Sequence, residues 1–345
     1  ILAQGLSSRY RHCVSMLKLV LASAALLPCT RGLRLPRNDS AVDKASPAVS
    51  LNEWTWESTK VPTIDEYRDL WTRRYQMETR LAEPLPPAIQ LILGVFTVAQ
   101  DREYRQVVRE TWLQQAGVCY IRSQPKAGCS VYVAFVMGKN GTGDGGDGRP
   151  LDERPLPPDE LAAAQHERGV LVLDIAENMN RGKSQAWFRS ALWRYPFATH
   201  IAKMDMDTYP FVHKLVGRMD VDRQCVGRSS PYDFIGRPHN TFGEVFASTC
   251  SSSPKCTVNQ FVLPLDRVPA GSEWRFLSGE FYILSRPLVE KVNWADTKLF
   301  YTEDATVSRL VNRAAKTHGF CVVLRRLDAW YHRNRLCDPS FANDF

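Results

Sequence analysis

The chain has 345 residues, 44% of them apolar and 23% charged, with a formal net charge of +7. That balance excludes a polar disordered chain and a repeat array, and it suits one large domain or two fused halves. The basic residues are scattered and carry no zinc-finger, homeodomain or RNA-recognition signature, so no nucleic acid is expected, whereas an anionic ligand such as a nucleotide diphosphate fits.

Residues 16–27 are largely apolar, with Arg9, Arg11 and His12 ahead of them and Lys18 inside the run. The run is shorter than the roughly 20 residues of a full bilayer span. Residues 1–28 are therefore read as a signal-anchor or short transmembrane segment. The start at Ile1 instead of Met leads us to expect a truncated N-terminus. Basic residues before the run place the bulk of the chain in a lumen. The triplets at Asn38 and Asn140 are compatible with that compartment. Nine cysteines without CxxC pairs also suit an oxidising space. Cys250 with Cys256, and Cys119 with Cys129, are the candidate bridges; free buried thiols are the alternative.

Residues 29–88 read as a stem or linker. The stretch 29–60 is rich in Ser, Arg, Pro and Asn. Residues 64–80 suit a short amphipathic helix with Tyr67, Leu70, Trp71 and Tyr75 on related faces. Pro84, Pro86 and Pro87 then break the chain.

A catalytic domain is expected over 89–345. Residues 89–98, 131–138 and 169–175 read as buried strands, and 101–112, 161–168 and 183–193 as helices. THIAKMDMD, 199–207, reads as a fourth strand ending in acids, and FIGRP, FVLPL and EFYILS as later, shorter ones. The Gly/Asp-rich run 138–148 is a loop. Alternating strands and helices predict a parallel sheet covered by helices, becoming mixed in the second half. Ligands of such sheets collect at the carboxyl ends of the strands.

Asp205 and Asp207 stand two apart in KMDMD, so on an extended strand both point the same way. Two hard oxygen ligands at a strand end suit Mg²⁺ or Mn²⁺. A turn or helix cap is the plain alternative. Lys203 either pairs with a carboxylate or reaches solvent. Glu303 and Asp304 precede Ala305, Val307, Leu310 and Val311 at helical spacing, so the pair falls in a first turn, where acids are favoured in any case. The chemical reading makes Asp304 a general base that takes the proton of an attacking hydroxyl. Glu303 then orients the acceptor or a basic neighbour.

Taken together, RETW at 109–112, AFVMG at 134–138, Glu167 followed by Asp174-Ile175, GKS around Lys183, KMDMD, SGEFYILS at 278–285 and TED at 302–304 resemble a known set. In order and spacing they resemble the β-1,3-galactosyltransferase / β-1,3-N-acetylglucosaminyltransferase family, closest to its kinetoplastid (trypanosome-type) members. The resemblance implies an α/β fold: a Rossmann-like nucleotide-sugar transferase domain of GT-A type with a central mixed, mostly parallel sheet. It implies inverting transfer of galactose or N-acetylglucosamine from UDP-Gal or UDP-GlcNAc to a glycan or glycoprotein hydroxyl, in a β-1,3 linkage. Mn²⁺ is the implied metal, with Mg²⁺ as the alternative. The matched positions imply Asp205 and Asp207 at the metal–diphosphate site, Lys203 beside them, Arg105 and Arg109 near the nucleotide, and Asp304 as base. A late histidine, His332 ahead of His318, is the candidate third ligand; a surface or core histidine is the alternative. Trp274 and Trp330 either stack on sugar or uracil or belong to the core, and Trp112 reads as core.

The implied setting is a Golgi membrane, single-pass type II, with the catalytic domain luminal, membrane contact through the N-terminal segment and no partner protein. The sequence departs from the family at Met204 and Met206, where acids are usual, at Ala305 for valine, and at Glu280 for a frequent glycine. A catalytically degenerate glycan-binding protein is the alternative class, and a glycoside hydrolase with paired acids the third.

Overall fold

The computed structural model describes residues 63–140, 158–223, 230–239, 245–250, 266–267, 275–296, 302–326 and 329–332. The expected anchor at 1–28, most of the Gly/Asp-rich loop, the FVLPL strand, Trp274 and Cys256 lie outside them. Among the described residues no helix is long and apolar enough to cross a membrane.

β1 (Leu91–Phe96) is buried at every position, as a strand with neighbours on both sides and layers on both faces must be. β3 (Val131–Asn140) and β5 (His200–Asp205) flank it in parallel, setting Phe96 beside Val136 and Asp205. β2 (Val118–Tyr120) and β4 (Val170–Ala176) share the outer edge of β3, both parallel to it. On the far side β9 (Phe276–Ser285) runs antiparallel to β5 and to β7 (Asp233–His239). β10 (Val323–Arg326) is parallel to β7, and β8 (Asp266–Arg267) closes that edge antiparallel. The sheet is therefore mixed and largely parallel, ordered β2-β3-β1-β5-β9-β7-β10-β8 with β4 beside β3. Such a sheet is consistent with the GT-A-like fold expected from the sequence. Sheet growth runs outward from β1 on one side and then resumes at β5 on the other. The carboxyl ends of β1 and β5 thus form the crevice where ligands bind in open α/β sheets.

The helices are α1 (Ile64–Met77), α2 (Arg102–Glu110), α3 (Pro158–Gln165), α4 (Ser184–Arg194), α5 (Val212–Arg223), α6 (Arg286–Lys291) and α7 (Glu303–His318). Trp187 and Phe188 of α4, Leu288 of α6 and Val307 and Val311 of α7 join Ile92, Ile201 and Leu284 of the sheet in one core. Each such fully buried aliphatic or aromatic side chain contributes about 1.5–3 kcal/mol. Gly94 permits this packing: a Cβ there would stand 2.5 Å from Trp187 Cε2, whose indole N–H donates to Ala202 O at 2.9 Å.

Two local expectations change. THIAKMDMD is not one strand. β5 stops at Asp205, and a separate β6 (Thr208–Pro210) pairs antiparallel with β11 (Trp330–His332) in a two-stranded ribbon. The helix expected from Lys183 begins at Ser184 and is preceded by a wide turn over Met179–Lys183, where Arg181 and Gly182 leave helical geometry. The Cys119–Cys129 bridge is present, but Cys250 pairs with Cys321 instead of Cys256. The cause is backbone pairing: Thr249 bridges Val322, and Cys250 N donates to Val322 O at 3.0 Å, which sets Cys250 beside Cys321.

Candidate active site

The site is built around a buried lysine at the end of β5. Lys203 is 1% exposed. Its Nζ lies 2.6 Å from Asp205 Oδ1 and 3.4 Å from Glu303 Oε2, and it donates to Gly279 O at 2.5 Å. An ammonium is tolerated at such depth only inside a shell of this kind. Burial alone would favour the neutral amine, but Asp205 and then Glu303 more than offset it and hold the pKa above that of an ordinary lysine. Of the two roles open to Lys203, pairing with a carboxylate is the one observed.

Asp205 is pushed up to about 6, by burial first, against the attraction of Lys203 and with the added repulsion of Asp207. Asp207 is itself buried, one residue before β6. Two mutually repelling hard-oxygen groups at a strand end are a donor set that fits a divalent cation such as Mn²⁺ or Mg²⁺. Among the described residues no three His, Cys, Asp or Glu side chains gather as a complete metal shell. The backbone of His332 lies opposite Thr208 in the β6–β11 ribbon, next to Asp207 in register. His318 ends α7, 14 residues from Asp304, which is about 21 Å along a helix. It stacks on Phe320 at 6.5 Å and is remote from the site.

Glu303 and Asp304 open α7 after the N-cap Thr302. Glu303 points inward: the hydroxyls of Ser184 and Tyr282 donate to Oε1, and its amide donates to Asn180 Oδ1 at 3.1 Å. Burial first and Glu303 second push the Tyr282 phenol well above its ordinary pKa, so it remains a donor. Asp304 Oδ2 accepts from Gly279 N at 2.9 Å, and Oδ1 from Ala305 N at 2.8 Å and from the Thr302 hydroxyl. Burial, and then the charge of Glu303, raise its pKa against the opposing Thr302 and Lys203.

Gly279 thus touches both halves of the site, its carbonyl on Lys203 and its N–H on Asp304. It lies in a bulge. β7 pairs Gly236 with Tyr282 and then Pro238 with Leu277, so residues 278–281 of β9 fall out of register with β7. Bulges re-aim strands beside active sites. A Cβ at Gly279 would stand 3.2 Å from Asp304 Oδ2. In the same bulge Glu280 accepts from Trp330 Nε1 at 2.9 Å and lies 3.6 Å from Arg237 Nη1. Trp330 is fully buried, as is Trp112, so both take the core role.

Arg105 and Arg109, the expected nucleotide neighbours, converge on Glu167. Arg105 has no exposed surface. It binds Glu167 through Nε and Nη2 at 3.0 and 2.8 Å, and holds Thr97 Oγ1, Val98 O and Ala99 O at 3.1, 2.5 and 3.0 Å. It can act on a ligand only through the loop leaving β1. Arg109 Nη2 lies 2.8 Å from Glu167 and 3.1 Å from Arg168 O. Burial would raise the Glu167 pKa, but Arg105 and then Arg109 hold it below the usual glutamate value. A second buried pair, absent from the expected set, grips the same loop. Lys183 Nζ binds Glu177 at 2.6 Å and Thr97 O at 2.9 Å, while Glu177 accepts from Gly138 N at 2.5 Å. Its only sequence signal was Gly182-Lys183-Ser184 shortly after a strand.

A family model described as galactosyltransferase matches residues 103–319, more than half of the chain. No curated protein shows a significant sequence match. Among solved structures, one similar chain is described as a putative glucose-1-phosphate thymidylyltransferase from Bacillus anthracis in complex with a sucrose. The identity is 8%, over 74% of this chain and 94% of that one, and the TM-score of 0.33 is too low to establish a shared fold.

Proposed function

The chain belongs to the galactosyltransferase family, and from that premise we propose that it transfers galactose or N-acetylglucosamine from a UDP-sugar to a glycan or glycoprotein hydroxyl with inversion, forming a β-1,3 linkage. The observation that carries this reading is the double contact of Gly279, which ties Asp304 and the Lys203–Asp205 pair into one rigid unit.

In the proposed reaction the acceptor oxygen bonds to the anomeric carbon as the bond from that carbon to the UDP phosphate oxygen breaks. The acceptor proton passes to the Asp304 carboxylate. Its raised pKa suits it to that task, and Gly279 N and Ala305 N fix its direction. Asp205 and Asp207 would hold a divalent cation, Mn²⁺ or Mg²⁺, with His332 as a third ligand. When bound, that cation supplies positive charge to the departing diphosphate. Lys203 balances the carboxylates behind it. Glu303 anchors Lys203 and stays out of the reaction. Arg105 and Lys183 hold residues 97–99, the loop against which the nucleotide lies. A luminal Golgi setting on a type II anchor, and a place near the kinetoplastid branch on motif grounds, belong to the same reading; the two disulfides support the oxidising compartment.

A panel of UDP-sugars, with and without Mn²⁺ and over mixed glycan acceptors, tests it. Chelator-sensitive transfer from UDP-Gal or UDP-GlcNAc is expected. Folded protein that neither releases UDP nor binds any UDP-sugar overturns it in favour of a degenerate glycan-binding protein.

A further inference from the structure

α1 lies well ahead of the residues that carry the family match, yet it reaches the Asp-x-Asp motif. The helix is well specified locally. Thr63 and Glu66 form a reciprocal capping box, with Asp65 and Glu66 in the first turn. Tyr67 and Trp71, four residues apart, are both fully buried. Their rings stack at 4.2 Å. Tyr67 also meets Tyr104 of α2 edge-on at 5.0 Å, and Trp71 meets Tyr209 of β6 at 5.9 Å. One helix therefore spans the elements that follow β1 and β5, on the two sides of the crevice.

At the centre of this contact the Tyr67 hydroxyl donates to Met206 O at 2.7 Å. Met206 is the single residue between Asp205 and Asp207, so the orientation of its peptide sets where both carboxylates point. A carbonyl turned inward at such a place requires a donor, and losing that donor destabilises the turn. Burial and the charge of Asp207 push the Tyr67 phenol well above its ordinary pKa. It therefore donates throughout the physiological range.

We propose that Tyr67 is a positioning residue for the Asp205–Asp207 pair, which makes α1 a working part of the catalytic domain and not its tether. The proposal rests on the transferase reading above. Its test uses the full chain with Tyr67→Phe, which keeps both ring contacts and removes one hydroxyl, and with Arg73→Ala as a control on the exposed face of α1, where Arg73 pairs with Asp69 at 2.8 Å. Amide hydrogen exchange without ligand is expected to rise about tenfold across 203–209 in Tyr67→Phe, with β1 unchanged. In Mn²⁺ titrations with UDP present, the dissociation constant is expected to rise about tenfold, and in turnover the KM for Mn²⁺ to rise more than kcat falls. Arg73→Ala matches wild type in all three. Wild-type exchange at 203–209 in Tyr67→Phe, or unchanged Mn²⁺ affinity, overturns the proposal. A wild-type chain that binds no UDP sinks the transferase reading instead, while the exchange data still decide whether Tyr67 holds the turn.

Discussion

At the scale of single residues, Gly279 decides most. Its backbone is shared between Lys203 and Asp304, and its missing Cβ leaves room for the carboxylate. Gly279→Ala places a methyl group 3.2 Å from Asp304 Oδ2, so the carboxylate must yield by a few tenths of an ångström. We expect kcat to fall by about 10- to 100-fold, because misplacing the proposed base costs rate more than binding. UDP affinity should stay within about twofold. A matched loss of UDP binding, measured by calorimetry, would argue that Gly279 supports the nucleotide instead. The acids here were legible in the sequence, because Asp205 follows a run of apolar strand residues and Glu303-Asp304 precedes a helical period. What joins them was not. The Lys203–Glu303 contact spans 100 positions and depends on β9 lying between β5 and β7, which no local pattern encodes. Arg105 shows the same limit. Its position in the early helix was readable, but its complete burial on Glu167 was not.

Among the elements, α1 carries a titratable group at its end. Glu78, the C-cap residue, is raised to about 7, by burial first and against the opposing influence of the nearby Tyr209 hydroxyl. A carboxyl whose folded pKa exceeds its unfolded value gives stability that is fully present below about 4.5 and lost as pH rises through about 7. The docking of α1 is therefore expected to weaken across that window. Thermal unfolding of wild type and Glu78→Gln between pH 5 and pH 8 checks it, and the variant should show the smaller pH dependence. Equal slopes in the two proteins would remove Glu78 as the cause. The helix itself was readable from the spacing of Tyr67 and Trp71. Its docking site was hidden, because the partners Tyr104, Met206 and Tyr209 follow far along the chain. The break between β5 and β6 was missed for a related reason: the alternation of KMDMD continues the strand pattern through a turn that only the β11 pairing reveals.

At the scale of the whole molecule, two disulfides among the described residues close loops of very different length. Cys119–Cys129 spans 10 positions and Cys250–Cys321 spans 71. In the chain-entropy account the first removes about 3 kcal/mol of denatured-state freedom and the second about 4 kcal/mol. Cys321→Ser is therefore expected to lower the midpoint of thermal unfolding more than Cys129→Ser, and reductant to lower wild type at least as far as either. An identical midpoint for Cys321→Ser and wild type would show that the long bridge adds nothing. The general architecture was legible from the rhythm of buried strands and helices up to β5. The second half was less so, since β9 enters antiparallel and its bulge interrupts the alternation on which strand reading depends.

The grip of Arg105 and Lys183 on residues 97–99 has a consequence for how the crevice meets its ligand. A loop at a strand end is ordinarily free to sample many shapes, and a ligand that settles there must spend part of its binding free energy on ordering it. Here two buried cations, each balanced by its own glutamate, fix Thr97, Val98 and Ala99 during folding. On the proposed transferase reading, the floor beneath the nucleotide is a finished mould before anything arrives, and discrimination among donors falls to the side chains around it.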